Sequence, residues 1–507
     1  MPYTKAQYTY FKRLYGGMNI QDTPDVAMEK GQAEYVLNVY NTPEGGIARF
    51  FGRSKHNSSA IGAAAEITGI YELKLSSPKF YCIAEDKFYV DSSGTWGDKT
   101  GAVSITDSKN NLWSFSRFQD HLIATSLSRD AAIEHDGGAG DADNVSNMPA
   151  VKFNATLANR LLAFNTQAQP KLGYWSGLND RTSWDTTNDF LNYKESEADN
   201  EEISGVKEHL NNIIVAKESS VFRVYHTGTM PPFKYYCIGR KNGLVSGLTM
   251  LSIPAAGIYP PRLIWMGKDN FYQLIGDEIS SIGDDIKPFF SEGAPFQINA
   301  SRLKYCIAGI IKEKNLYICS FSSGSSTTHD SAFILDYKNM MWGLCNFKMN
   351  CFGIREISGR DFLYSGTYNG FVGKHDPSVY NDLSSAYNSY YWTWWVDFGD
   401  PQAEKKIRYI VAFMKNTGFD LEVEYQTNLG TTTGTFTSTA EVDLLGVDFT
   451  LGSSTLGGAD LVENILEVLQ RFRRIKLRFN MTNADKYFRL YALGALWSPV
   501  KGYRIGT

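Results

Sequence analysis

Residues 81–90, YCIAEDKFYV, contain the pattern that decides the fold: an apolar run, a short polar turn at Glu85-Asp86-Lys87, and a second run rich in aromatic and β-branched residues. Such residues on both sides of a tight polar turn are typical of a β-hairpin. The pattern recurs along the chain at 119–124, 158–163, 211–215, 268–272, 313–318 and 359–364.

The spacing of these hairpins indicates a repeated architecture. Counted at residues 86, 120, 159, 211, 269, 314 and 360, the steps are 34, 39, 52, 58, 45 and 46 residues. One propeller blade takes roughly 40 to 50 residues, because four short strands, three turns and a crossover add up to that length. We therefore predict an all-β fold built on a β-propeller of roughly six to eight blades. A large β-sandwich or several small β domains are the alternative.

The two ends of the chain depart from this repeat. Residues 1–58 are interrupted repeatedly by Gly and Pro, which predicts an extended N-terminal arm and contact segment. The propeller is predicted to occupy 59–395, ending at the aromatic cluster 390–395, which we expect to contact neighbouring chains. The remainder, 396–507, is predicted to be a small C-terminal β-rich domain with one short helix.

Within this C-terminal domain the local patterns differ from one another. Residues 421–426 alternate between apolar and polar, which favours a half-buried strand, and 429–458 are rich in Thr, Gly and Ser, which favours a flexible or exposed loop. The short helix is predicted from apolar residues at helical spacing. These residues are Leu461, Val462, Ile465, Leu466 and Leu469.

Bulk composition excludes several classes of protein. The 507 residues carry a net charge of −4, 43% apolar residues and a mean hydropathy of −0.29, so no overall basic balance suggests a tight grip on nucleic-acid phosphates. Neither a secretory signal nor an apolar run of membrane-spanning length is visible. The six cysteines are scattered, which favours buried, reduced thiols.

The sequence contains no recognisable catalytic or ligand-binding motif, which predicts that the chain is not an enzyme and binds no cofactor or metal. Phosphate-binding glycine loops, a serine elbow and the H-E-x-x-H zinc motif do not occur, and the seven histidines are isolated. Asp136, Asp141 and Asp143 lie on a glycine-rich loop, but their spacing matches no calcium loop, so a solvated acidic loop is favoured. Residues 91–96 resemble a degenerate Asp-box, a turn whose Asp caps backbone amides and whose Trp packs between strands.

Two charged segments have open interpretations. The basic strand residues Arg474, Lys476 and Arg478, with Arg471 and Arg473 nearby, could be a nucleic-acid patch, but a salt-bridged or subunit-contacting face is favoured. The acidic run 195–202 is expected to be a solvated loop, which would repel phosphates if it faced a DNA channel.

Two segments resemble the packaged-DNA stabilisation, or tail nozzle, proteins of short-tailed bacteriophages. The opening segment is similar to theirs in its Gly-Gly-Asn start, carried in this chain by Gly16, Gly17 and Asn19, and in its Gly-x-x-x-Arg-x-x-Gly finish, carried by the pair Gly45-Gly46 with Arg49 and Gly52. The central segment is similar through Trp175, Ser176, Gly177, Asn179 and Trp184. The closing stretches 473–479 and 488–496 also fit the C-terminal β region of those proteins.

The resemblance implies a non-enzymatic virion protein. It implies a ring of identical copies, a hexamer by the pattern of the family, below the portal and adaptor. Viral double-stranded DNA would pass through this ring without sequence-specific binding, and tail fibres or a spike would dock on it. The protein would be assembled in the host cytoplasm and reside in the phage tail, with no membrane span. The alternative is a glycan-binding or glycan-cleaving propeller that acts as a receptor-binding tail component.

Overall fold

The computed structural model describes most of the chain, in two compact units. The described residues are 6–11, 14, 16–22, 31–42, 45–194, 199–255, 258–291, 297–400, 402–415, 421–428, 430–436, 461–481 and 486–500. One unit contains 54–333 and 347–376, and the other contains 1–53, 334–346 and 377–507.

Strands dominate both units. The first strands are β1 Gln7–Phe11, β2 Ala33–Leu37, β3 Val39–Asn41, β4 Ile47–Arg49 and β5 Arg53–Lys55. There follow β6 Ile67–Leu73, β7 Lys79–Ala84, β8 Lys87–Ser92, β9 Thr95–Asp98, β10 Trp113–Phe118, β11 His121–Ser126, β12 Ile133–His135, β13 Asp143–Asn144, β14 Val151–Leu157, β15 Arg160–Thr166, β16 Leu172–Gly177, β17 Asp180–Trp184 and β18 Phe190–Asn192. Next come β19 Ile203–His209, β20 Asn212–Lys217, β21 Ser220–His226, β22 Phe233–Arg240, β23 Leu251–Ile253, β24 Arg262–Met266, β25 Phe271–Ile275 and β26 Glu278–Ser281.

The remaining strands complete the chain. They are β27 Ile307–Ile311, β28 Leu316–Phe321, β29 Ser331–Asp336, β30 Met341–Cys345, β31 Cys351–Ile357, β32 Arg360–Gly366, β33 Val372–His375, β34 Ser389–Thr393, β35 Lys405–Lys415, β36 Leu421–Thr427, β37 Gly430–Phe436, β38 Leu461–Glu467, β39 Arg471–Phe472, β40 Ile475–Met481 and β41 Arg489–Pro499. Short 3-10 helices lie at Gly247–Thr249, Asp284–Phe290, Ala300–Tyr305 and Lys312–Lys314. Within the described ranges, no helix is long and apolar enough to cross a membrane.

The unit containing 54–333 and 347–376 is a β-propeller. Six of its sheets stand alone: β6–β9, β10–β13, β14–β18, β19–β22, β23–β26, and β31–β33 with β5. A further set, β27, β28 and β29, lies between the last two of these in the chain. The first strand of every set lines one central cavity, and β5 supplies the fourth strand of the last sheet. The prediction of a β-propeller is therefore confirmed, and the cores pack between neighbouring sheets.

Each predicted hairpin turn falls in a different one of these strand sets. Five turns join the first and second strands of their set, whereas the turns at 86 and 269 join the second and third. This difference contributes to the uneven spacing of the turns in the sequence. Asn159 and Asn211 adopt the left-handed conformation, with φ of 55° and 58°, which Asn tolerates in tight turns.

The other unit combines strands from both ends of the chain. In one sheet, β41 pairs with β1, β4 and β35, and β35 also pairs with β38 and β39. In a second sheet the order is β30, β2, β34, β40, β36, β37. The predicted division at 58 and 395 therefore differs from the observed one, because the N-terminal segment and the cluster 390–395 pair with C-terminal strands in this unit.

The predicted short helix is wrong. Residues 461–467 form strand β38, which pairs with β35 from Lys415↔Leu461 to Tyr409↔Glu467. Burial has a period of two residues: Asn464 is buried, whereas Glu463 and Ile465 are exposed. Pairing with β35 satisfies the backbone, so tertiary context overrides the apparent helical spacing.

The predicted loop at 429–458 is corrected in part. Residues 430–436 form strand β37, which pairs with β36 from Thr427↔Gly430 to Leu421↔Phe436. The rest of the predicted loop, at 429 and from 437 onward, lies outside the described residues.

Candidate functional site

Two glycines of the opening motif lie where a side chain would collide with a neighbouring strand. A Cβ on Gly17 would lie 2.8 Å from the backbone N of Trp342, and a Cβ on Gly46 would lie 2.4 Å from the carbonyl O of Leu490. Both glycines have positive φ, 77° and 88°, which L-residues rarely adopt. These positions therefore require glycine for close packing and for backbone conformation.

Arg49 and Gly52 fix the end of the same segment. The Arg49 side chain is fully buried and donates hydrogen bonds of 2.6 Å to the carbonyls of Lys486 and Tyr387. Its guanidinium carbon lies 4.2 Å from the centre of the Tyr387 ring, a cation–π contact. A Cβ on Gly52 would lie only 1.8 Å from the carbonyl O of Asn381. Both residues hold the N-terminal segment against residues beyond 377.

Gly16 and Asn19, at the start of the opening motif, form hydrogen bonds with backbone groups. Gly16 N–H donates to the carbonyl of Gly31 at 2.9 Å. The Asn19 side-chain oxygen accepts hydrogen bonds of 2.9 Å from the backbone amides of Gln21 and Asp22. Buried Asn19 therefore stabilises a local turn, as short amide side chains commonly do.

The central motif lies in the third sheet of the propeller, at the end of β16. Trp175 is buried in the core between β14–β16 and β19–β22, and its ring contacts Phe233 edge-on at 5.6 Å. The Ser176 hydroxyl oxygen accepts a hydrogen bond from the Leu161 amide at 3.0 Å, which offsets the burial of both polar groups.

The rest of this motif shapes the hairpin between β16 and β17. A Cβ on Gly177 would lie 2.9 Å from the Cβ of Ser183, and Asn179 has a φ of 57° and donates its N–H to the Asn159 carbonyl at 2.8 Å. Trp184 is half-buried and donates its indole N–H to a backbone carbonyl at 2.7 Å. The two motifs lie in different units, and in each unit these contacts fix the backbone and the core.

The segment resembling an Asp-box behaves as predicted. Asp91 Oδ1 accepts a hydrogen bond of 2.7 Å from the Gly94 amide in the β8–β9 turn, and Trp96 packs against Phe80. Asp91 also contacts His56 and Arg355. Burial raises the Asp91 pKa, but the hydrogen bonds from His56 and Gly94 and the charge of Arg355 outweigh it and lower the pKa below its ordinary value. The carboxylate therefore serves as a buried structural acceptor.

Two residues of the basic strand face are salt-bridged. Arg478 contacts Glu424 at 2.8 Å, and Lys476, which is nearly fully buried, forms an ion pair with Glu34. Arg478 also lies 4.6 Å from the centre of the Trp392 ring. For Lys476 and Arg478 these contacts match the favoured interpretation of a salt-bridged face, whereas the other three arginines of the set are exposed, so the interpretation of the whole face stays a prediction.

In its described part, 199–202, the acidic run is a loop without helix or strand, as predicted, but only part of it is solvated. Asp199 forms a 2.7 Å ion pair with Lys217, and both side chains are at least 90% buried. Glu202 contacts Lys152 at 3.0 Å. Residues 195–198 lie outside the described residues. The Glu202 side chain is 51% exposed, so the prediction of a solvated loop is wrong only for the buried Asp199 carboxylate, which is held against β20.

The first strands of the propeller sheets surround a central cavity that is partly open to solvent. Its volume is about 460 Å³. Large apolar side chains form much of its wall: Ile70, Phe115, Phe153, Ile307, Phe352 and Leu363. Charged residues also line it, with Lys74 contacting Glu356 at 2.6 Å and Lys312 contacting Asp361 at 2.6 Å. Sequence reasoning missed this charged set because its members come from distant strands.

The cavity has the size of a small-molecule site, since such sites measure about 300–1,000 Å³. A cube of this volume has an edge of only about 8 Å, whereas the major groove of a DNA duplex alone is about 12 Å wide. The cavity therefore cannot hold a duplex. Across the described ranges, no three His, Cys, Asp or Glu side chains gather in a way that could hold a metal ion. The cysteines are free thiols, and all except Cys237 are buried.

Comparisons with known proteins give structural neighbours only. No family model and no curated protein matches the chain. The chain is similar to PorZ, a bacterial surface component of the type-IX secretion system of Porphyromonas gingivalis, at 10% identity over 68% of this chain and 43% of that one, with a TM-score of 0.39. It thus spans less than half the length of PorZ.

Two further neighbours are covered almost completely. The N-terminal domain of Nup159 matches at 11% identity over 68% of this chain and 98% of that domain, with a TM-score of 0.37. The Pan2 WD40 domain of Neurospora crassa matches at 10% identity over 64% of this chain and 96% of that domain, with a TM-score of 0.38.

Proposed function

We propose that this chain is a structural subunit of the tail nozzle of a short-tailed bacteriophage. Identical copies would form a ring around the DNA channel, help retain packaged DNA and pass it at ejection. The observation that carries the proposal is the use of the opening motif: buried Arg49 and the tightly enclosed Gly17, Gly46 and Gly52 all hold the N-terminal segment in place. Residues shared with nozzle proteins thus have roles in shape rather than in chemistry.

The path of DNA would lie between copies of the chain. The propeller's own cavity is too small for a duplex, so the channel would be the axis of a ring. Net charge of −4 and the ion pairs of Glu202, Lys476 and Arg478 would allow DNA to slide past with little binding. Portal and adaptor proteins, fibres or a spike would dock on outer surfaces of the ring.

Assembly state tests this proposal. The full-length chain is purified, its mass is measured by native mass spectrometry over a range of concentrations, and its particles are imaged by electron microscopy. We expect rings of one copy number with an open axis, and weak DNA binding that falls steeply with salt. A chain that remains monomeric throughout, or that hydrolyses glycans with a measurable rate, would contradict the proposal.

A further inference from the structure

An open depression lies on the propeller where the fourth and fifth sheets meet. Its volume is about 420 Å³. Six residues line it: Asn212, Arg223, Tyr225, Tyr236, Gly276 and Asp277. The first four belong to β20–β22, and the last two form the turn between β25 and β26. All six lie in the propeller unit and are among the described residues.

Two exposed tyrosines form one side of the depression. Tyr225 is 36% exposed and Tyr236 is 42% exposed, and their ring centres are 6.1 Å apart with the planes inclined at 55°. Strand register explains the pairing: Tyr236 lies opposite Arg223, two residues before Tyr225 on β21, so both rings project from the same face. The inclined rings form an open cradle with accessible aromatic faces.

Polar groups are fixed beside these rings. Arg223 contacts Asp277 at 2.8 Å and also donates to the Gly276 carbonyl. The Tyr236 hydroxyl donates to Asp277 at 3.2 Å. Arg223 is only 9% exposed, and its Nε is buried without a hydrogen-bond partner among the described residues. Asp277, in contrast, has a side chain that is 59% exposed and can accept hydrogen bonds from a ligand.

We propose that this depression, which we call the tyrosine cradle, binds a neutral sugar residue of a glycan. The C–H groups of a sugar ring carry slight positive charge and pack well on the electron-rich face of a tyrosine. Sugar hydroxyls both donate and accept hydrogen bonds, so they match the carboxylate of Asp277 beside the amide of Asn212 and the guanidinium of Arg223. Arg223 and Asp277 offset one another's charge, so the depression presents no net charge that would attract an ionic ligand, and this favours a neutral one.

The tyrosine cradle does not depend on the ring proposal, since all of its residues belong to one chain. A single site of this size, open to solvent, makes few contacts and is expected to bind in the millimolar range. Repetition of the site on several copies would raise the apparent affinity for a polymeric glycan.

Ligand-observed NMR on the full-length protein tests the inference. The probes are methyl glycosides of glucose, galactose, mannose and N-acetylglucosamine, with glucuronate as the charged comparison. The variants Tyr225→Ala and Tyr236→Ala are each expected to weaken binding about tenfold or more, whereas Tyr225→Phe keeps the ring and binds as the parent protein does. Phe190→Ala is the matched control, since Phe190 is 37% exposed and lies outside the cradle.

The outcomes separate the possibilities. Binding of a neutral glycoside that is lost in both alanine variants but kept in the Phe190 control supports the cradle. Absence of binding by all four neutral probes overturns it, as does binding that both alanine variants retain, or binding of glucuronate alone. Circular dichroism checks that each variant is folded. Native mass spectrometry of the same samples reports ring formation independently, so the failure of either proposal is recognised separately.

Discussion

Truncation of Trp175 is the sharpest test of the structural role assigned to the central motif. A tryptophan buries roughly 150–250 Å² of surface, which at about 25 cal/mol per Å² corresponds to about 4–6 kcal/mol. This is an upper value, because the unfolded chain already buries part of that area. The Trp175 indole N–H is buried without a partner among the described residues, and removal of an unsatisfied donor recovers about 1–3 kcal/mol. We expect Trp175→Ala to cost about 3 kcal/mol, at the lower end of the usual range.

Urea unfolding monitored by pulse proteolysis measures this loss as a shift in the urea midpoint at which the propeller unfolds. The propeller transition is followed separately because a chain of two units need not unfold in one step. Trp184→Ala is the control: its side chain is half-buried, so we expect a loss of about 1–2 kcal/mol. A loss below about 1 kcal/mol for Trp175→Ala, or equal losses in both variants, would refute a core role for Trp175.

Three further substitutions test other parts of the structure. Gly52→Ala is expected to displace the N-terminal segment, which would be seen as faster limited proteolysis before residue 54. The control Gly140→Ala, whose Cβ has nothing within 4 Å, should be cleaved at the parent's rate, and a Gly52→Ala variant cleaved no faster than the parent would contradict the close packing at Gly52. Burial, and to a smaller extent a nearby arginine, lower the His329 pKa from 6.5 to about 3, so the folded protein should lose stability as the pH falls from about 6.5 towards 3. In His329→Gln the urea midpoint should depend less on pH across that window, and an unchanged pH dependence would argue against a neutral His329. Lys217→Met removes the ammonium that pairs with the buried Asp199 carboxylate, which still accepts a hydrogen bond of 3.0 Å from the Glu201 amide, and should cost about 3 kcal/mol in urea unfolding, most of it recovered in Lys217→Met/Asp199→Leu; a double variant as unstable as the single one would contradict this.

The hairpins could be predicted because their information is local. The residues of each hairpin are adjacent in the chain, and the polar turn and the alternating runs are read directly from the sequence. The Asp-box segment was predictable for the same reason, because Asp91 caps Gly94 three residues later. The uneven steps between turns arise partly because two sheets place the recognised turn after their second strand rather than their first.

Long-range pairing accounts for most of what the sequence did not reveal. Strand β38 was predicted as a helix because its apolar residues fit helical spacing, but its partner β35 lies about 50 residues earlier and is invisible to a local pattern. The tyrosine cradle and the charged wall of the cavity were missed likewise. Asp277 meets Arg223 only because neighbouring sheets pack side by side, across 54 residues of chain.

The N-terminal segment links the folding of both units through non-local contacts. Strand β5 supplies the fourth strand of the sheet built from β31–β33, while β2 and β4 pair with β34 and β41 in the other unit. Pairing over some 300 residues or more closes very large loops, and such contacts form slowly because their entropic cost must be met before they stabilise anything. The sheet of β31–β33 therefore lacks its fourth strand, and the sheets of the other unit lack β2 and β4, until these N-terminal strands pair with residues some 300 or more positions later in the chain, and glycine is needed where they pass closest to their partners.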